Sequence, residues 1–226
     1  MKNNILVTVA IAGFLSCKQG SKITPETVGI GTSNSVKNVQ NDENIYSKYE
    51  YTDSRGGSLI IQNGLPRGGV KYTDPNGDDY NYAVFWTQLS NQTDTPLELQ
   101  IDVPANSYKV PSLPGKYYKV LIPTDSVMYE IFPLFNFDQI KSFLDKSIHQ
   151  STSLKRTIYP KESNGFYFVL LCLTEGAHGS GRTELSLKGH DLFYRIKIDG
   201  SKSNSKSSDQ EIHCGSINLK NLILKK

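Results

Sequence analysis

Phe166-Tyr167-Phe168-Val169-Leu170-Leu171-Cys172-Leu173 is apolar at every position. Eight residues suit a strand better than a buried helix, and aromatic and branched side chains favour a pleated backbone. Successive side chains of a strand point to opposite faces, so a run with no polar position must be covered on both. The run predicts a central strand. Tyr82-Ala83-Val84-Phe85-Trp86 reads the same way.

Around these runs the pattern has period two. Leu97, Leu99, Ile101 and Val103 alternate with Glu98, Gln100 and Asp102, and Leu192, Tyr194, Ile196 and Ile198 alternate with Phe193, Arg195 and Lys197. Each is a strand with one buried face. Further strands are expected at Ser58–Gln62, Gly69–Thr73, Tyr117–Ile122, Val127–Ile131, Thr183–Lys188 and Ile217–Leu224. Asp74-Pro75-Asn76-Gly77-Asp78 is turn chemistry, since Asn-Gly accepts positive φ. Asn91–Pro96 is expected to close a tight hairpin. One segment departs from the pattern. In 137–149 the apolar Ile140, Phe143, Leu144 and Ile148 share one helical face, with Asn136 as cap and Asp138 in the first turn. Many strands and one crossover helix predict a mainly β fold. The expected architecture is an antiparallel β-sandwich, an immunoglobulin-like arrangement being one option, with a short helix near 137–149.

The N-terminal fifth has a different composition. Residues 18 to about 55 are rich in Ser, Thr, Asn, Gln, Lys and Glu, which cannot bury enough surface to offset their ordering entropy. Residues 17–55 are therefore expected to be a tether and 56–226 the folded domain; docking of the segment through Tyr46, Tyr49 and Tyr51 is the alternative. Residues 201–210 form a polar low-complexity loop. The formal net charge of +3 is too small to indicate a nucleic-acid partner.

Met1-Lys2-Asn3-Asn4 is a short basic start, and Ile5 through Leu15 is an uncharged apolar run. A membrane span needs about 20 such residues, so the run fits a secretory signal rather than an anchor helix. It ends in Phe14-Leu15-Ser16-Cys17, which resembles the lipobox of bacterial lipoproteins. Phe14 departs from the aliphatic residue usual there. The resemblance implies cleavage after residue 16, acylation of Cys17 with palmitate-type chains, and attachment to a membrane without spanning it. Lys18, where Asp would retain such a protein at the inner membrane, implies the outer membrane. The rest of the chain is similar in type to all-β envelope lipoproteins of Gram-negative bacteria, a likeness that carries no activity.

With Cys17 lipidated, Cys172 and Cys214 remain as a candidate disulfide in an oxidising compartment. The bridge would close a loop of about 41 residues and contribute about 3–4 kcal/mol. The histidines at 149, 178, 190 and 213 lack local metal-ligand spacing, and no Cys-x-x-Cys is present. Asp74, Asn76, Asp78 and Asp79 are oxygen-rich, but Asp79 stands where a calcium loop requires Gly, so they read as a hairpin turn. Gly176–Arg182 is glycine-rich but precedes a strand, not the helix that a phosphate loop needs. No cofactor or metal is expected. Asp125-Ser126-Val127 resembles a short O-glycosylation acceptor of some envelope proteins.

Tyrosine is abundant, with 13 copies. Period-two placement accounts for most of them, since tyrosine is a good strand former. Tyr72, Tyr80, Tyr108, Tyr117 and Tyr118 fall near expected loops or strand ends. With Ser180 and Arg182, residues Tyr72, Tyr80, Tyr117 and Tyr118 are the candidate ligand contacts, suited to a glycan, a peptide or an envelope protein. The expected function is a non-enzymatic binding or structural module. The alternative is an envelope hydrolase, which requires at least two of His178, His190, Asp191 and His213 to meet in a cleft.

Overall fold

The computed structural model describes residues 44–124, 137–175, 180–199 and 207–225. The signal segment, Cys17, most of the expected tether, Asn136, Asp125-Ser126-Val127, the expected strand 127–131 and His178 lie outside them.

The chain forms β1 (Ile45–Thr52), β2 (Ser58–Gly64), β3 (Arg67–Thr73), β4 (Asp79–Asn91), β5 (Leu97–Val103), β6 (Tyr108–Lys109) and β7 (Tyr117–Leu121). Helix α1 (Phe137–Ser147) follows. Then come β8 (Thr152–Ile158), β9 (Ser163–Leu173), β10 (Gly181–Lys188), β11 (Asp191–Ile198), β12 (Ser208–Ile217) and β13 (Ile223–Leu224). An eight-stranded sheet runs β13-β1-β2-β4-β9-β7-β6, with β3 beside the first half of β4. A five-stranded sheet runs β10-β11-β12-β5-β8. Every pairing is antiparallel. Among the described residues the molecule is mainly β and sandwich-like, with one helix.

The two all-apolar runs are the spine of the larger sheet. β4 and β9 pair from Tyr80↔Leu173 to Ser90↔Ser163. On one face Phe85, Phe168 and Leu170 meet the smaller sheet, and the Phe168 ring stacks on Tyr194 with centroids 4.0 Å apart. On the other face Tyr80 lies beside Tyr72 of β3. The Tyr72 hydroxyl donates to Asp145 of α1 at 2.8 Å. Both faces are covered, as an uninterrupted apolar strand requires. The alternating strands also behave as read. Leu97, Leu99, Ile101 and Val103 are buried, while Glu98, Gln100 and Asp102 are exposed. Each buried aliphatic side chain contributes about 1.5–3 kcal/mol.

Three boundaries differ from expectation. Ile45–Thr52, placed in the tether, is strand β1 and pairs with β2 from Ile45↔Gly64 to Thr52↔Ser58. Polar composition hid it, because its ordering rests on Tyr49 and Tyr51 reaching across to β10. The last strand is Ser208–Ile217, so Ser208, Asp209 and Gln210 leave the expected loop. Residues beyond Ile217 turn and add only the two-residue β13.

Asn91–Pro96 is not a hairpin, because β4 and β5 belong to different sheets. Its turn is built around the fully buried Asn91. The Asn91 amide donates to Thr95 O at 2.8 Å and Ile158 O at 2.9 Å, while its Oδ1 accepts from the Thr93 N–H and hydroxyl. A side chain that satisfies all these groups lets the backbone cross between sheets without orphaned polar atoms.

Candidate functional site

The two sheets are fastened along the edge where β10 faces β1 and β2. Asn63 Nδ2 donates to Leu185 O at 3.1 Å, and the Leu185 N–H donates to Asn63 Oδ1 at 2.9 Å. The Leu187 N–H donates to the Tyr51 hydroxyl at 2.8 Å. The Tyr49 hydroxyl donates to Glu184 at 2.5 Å.

Toward the start of β10 this closure ends and a cleft of about 410 Å³ opens. Its floor is Phe85, Leu170 and Ile198, three core side chains. One wall is Gly68-Gly69 of β3. Both glycines have positive φ, at 121° and 85°, and the β3–β4 register slips between Gly68 and Val70. This bulge re-aims the strand and leaves no side chain over the floor. Ser180 and Arg182 stand on the opposite rim. Arg182 donates to its neighbour Gly181 O at 2.8 Å and lies 5.8 Å from the Tyr46 ring centroid. Among the described residues no carboxylate pairs with it. An apolar floor with a few placed polar groups is what small ligand sites share.

A hollow of about 520 Å³ lies on the outer face of β5. Glu98, Gln100, Lys155 and Ser216 line it, all from solvated strand faces. It has no comparable floor.

Cys172 lines the cleft, and burial pushes its thiol up to about 12. It stays protonated at neutral pH and is a poor nucleophile. The expected Cys172–Cys214 bridge is absent, and both thiols are free. Phe168 packs on Tyr194, while Cys172 lies beyond it, at the Ile198 end of the sandwich. Cys214 sits at the bulge opposite Leu192–Phe193. The offset is about five residues of strand, on the order of 16 Å. A disulfide spans about 7 Å between Cα atoms at most.

Of the candidate ligand contacts, the cleft brings together Ser180 and Arg182 only. Tyr72, Tyr80 and Tyr118 are core residues, 5%, 3% and 2% exposed. They cannot offer a ring face to a ligand. Tyr117 is half-buried at the start of β7, away from the cleft. Tyr108, fully buried, donates its hydroxyl to Tyr194 O at 2.6 Å. Several of the tyrosines thus fasten elements together. What sequence reading missed was the cleft's floor and its glycine wall. Gly68-Gly69 beside a strand was the available signal, since paired glycines there mark a bulge or a close approach.

The acidic turn is the β3–β4 hairpin. Asp74 Oδ1 accepts from the Asn76 and Asp78 N–H groups, and its other oxygen lies 3.2 Å from His149. Among the described residues no group of three or more His, Cys, Asp or Glu is placed to hold a metal ion.

His190 and His213 both stand 3.5 Å from Asp191 Oδ1. These side chains are 62%, 58% and 41% exposed on the outer face of the smaller sheet. Among the described residues no hydroxyl or thiol hydrogen-bonds to either imidazole. The trio lacks the nucleophile and the enclosure that hydrolysis needs.

Among the described residues no helix is long and apolar enough to cross a membrane. Compared with known proteins, the chain matches no family model, no curated protein and no solved structure.

Proposed function

We propose that this chain is a lipid-anchored protein of the bacterial envelope, held at the outer membrane through Cys17. In this reading its β domain binds a glycan, a peptide or an envelope protein without catalysis. The anchor rests on the basic start, the short apolar run and the lipobox-like Phe14–Cys17, with Lys18 favouring the outer membrane. One acyl chain gives only weak attachment, and two or three hold firmly. Binding rests on one observation: a cleft with an apolar floor and, on its rim, a guanidinium without a carboxylate partner among the described residues.

Two measurements test the reading on the full chain. Cells fed an alkyne analogue of palmitate should label the protein, and Cys17→Ala should abolish the label. Thermal melting against panels of glycans and peptides should show stabilisation by at least one class, and Arg182→Gln should weaken it. A label that survives Cys17→Ala would refute the anchor. Flat melting curves across both panels would refute the binding role.

A further inference from the structure

From the hollow on the outer face of β5 we infer a second binding site, one that takes a neutral oligosaccharide. Its lining shares no residue with the cleft, so it goes beyond the binding role just proposed.

The strand register sets the hollow out in two rows. Ser216 of β12, Gln100 of β5 and Lys155 of β8 stand directly across from one another. Glu98 and Thr157 pair in the next row, and Asn218 closes it. Alternation puts these side chains on the solvent face, since Leu99, Leu154, Ile158 and Ile217 between them are buried. The hollow measures about 520 Å³, within the range of small-ligand sites.

Two fastenings shape the hollow before any ligand arrives. The Glu98 N–H donates to Asn218 Oδ1 at 2.7 Å, and Asn218 Nδ2 donates to Pro96 O at 3.0 Å. Asn218 thus holds β5 beyond the last residue of β12. Gly215 secures the other end. A Cβ there would stand 2.0 Å from Gln100 O, so β12 lies closer to β5 than a side chain allows. A wall fixed in advance costs little ordering on binding.

The chemistry selects the ligand. Glu98 accepts hydrogen bonds, Lys155 donates them, and Thr157 and Ser216 do either. None of these four side chains has a hydrogen-bond partner among the described residues. A sugar hydroxyl is at once donor and acceptor, so a face that offers both suits it. Glu98 against Lys155 and Arg156 leaves a single net charge, too little to hold a polyanion. Tyr159 supplies the aromatic surface. It follows β8 directly, two residues on from Thr157, and is 58% exposed. Of the large apolar side chains exposed among the described residues, only Tyr159 is aromatic. A phenol ring packs against the C–H face of a sugar while its hydroxyl stays wet. Two residues of extended chain span about 7 Å, so one sugar lies on Tyr159 and its neighbour in the hollow.

The probes are neutral hexasaccharides of glucose, galactose, mannose and N-acetylglucosamine, titrated into the full chain in detergent and followed by calorimetry. At least one should bind. Tyr159→Ala and Glu98→Gln should each weaken it roughly tenfold, the loss of one ring contact or one charge-assisted hydrogen bond. Both variants should keep the native circular dichroism and melting temperature, since both side chains are exposed. Arg182→Gln should leave this binding unchanged, and the anionic hexagalacturonate should not bind. Failure of every neutral hexasaccharide to bind would overturn the inference, as would binding indifferent to both Tyr159→Ala and Glu98→Gln. Binding of hexagalacturonate alone would overturn it too. A hexasaccharide that depends on Arg182 and not on Tyr159 would overturn this site and leave the binding role of the cleft standing.

Discussion

Asn63 holds Leu185 by both of its main-chain groups, donating to the carbonyl at 3.1 Å and accepting from the N–H at 2.9 Å. A side-chain amide here does what a neighbouring strand would do. Thr87 adds a third bond, its hydroxyl donating to Asn63 Oδ1 at 3.2 Å. Asn63 is 1% exposed, so none of these groups can turn to water instead.

Asn63→Leu should therefore cost more than the bonds it removes. It leaves the Leu185 N–H and C=O and the Thr87 hydroxyl buried without that partner, at about 1–3 kcal/mol for each orphaned group. Urea unfolding should show a loss of at least about 2 kcal/mol. Unchanged stability would mean that the fastening is not made in solution.

Gly215 pairs with Ile101 where β12 meets β5. A Cβ there would stand 2.0 Å from Gln100 O and 2.9 Å from Ile101 Cα. Both are main-chain atoms of the facing strand, so relief requires the strands to part. Gly215→Ala should sharply reduce the soluble yield or the melting temperature. Gly56→Ala is the comparison, with nothing within 4 Å and only a positive φ of 85° to strain. It should cost about 1 kcal/mol.

Stability should fall on the alkaline side. Burial pushes the Cys172 and Cys214 thiols from 9.0 up to about 12. Burial likewise moves the Tyr80 and Tyr118 hydroxyls from 10.0 up to about 12. The folded state holds these protons more tightly than the unfolded state. The resulting stability is fully present below about pH 9 and is lost as pH rises through 9–12. Melting temperature should decline above about pH 9. The double variant Cys172→Ser and Cys214→Ser should delay the onset to about pH 10, where only the tyrosines titrate.

The thiols give a separate test. Native protein should be alkylated slowly at Cys172 and Cys214, and quickly once unfolded in urea. Reductant should change neither its electrophoretic mobility nor its melting temperature. A mobility shift on reduction would mean that the two residues do pair.

Much of the fold was readable in the residues. Phe166–Leu173 and Tyr82–Trp86 could only be strands covered on both faces, and they became β9 and β4, paired along their length. Ile140, Phe143, Leu144 and Ile148 could only face one way from a helix, and all four are buried. Errors came where long-range contacts overrode local composition. Ile45–Thr52 looked too polar to order, and Tyr49 and Tyr51 order it by bonding residues more than 130 positions away. Asn91 sat in what looked like a hairpin turn, and its buried amide instead carries the chain between sheets.

The candidate site was legible only in part. Ser180 and Arg182 stood out as polar residues in a glycine-rich loop, and both line the cleft. The tyrosines stood out for the wrong reason, since a phenol serves a buried fastening as well as an exposed ring face. Period and composition alone determined that this chain builds antiparallel sheets around β4 and β9, because alternation along a strand is a local property. Which strands share a sheet, which thiols can meet and where the sandwich stays open were decided by tertiary structure. Those outcomes depend on side chains such as Asn63, Tyr51 and Asn91 finding partners far along the chain, and no local pattern encodes that pairing.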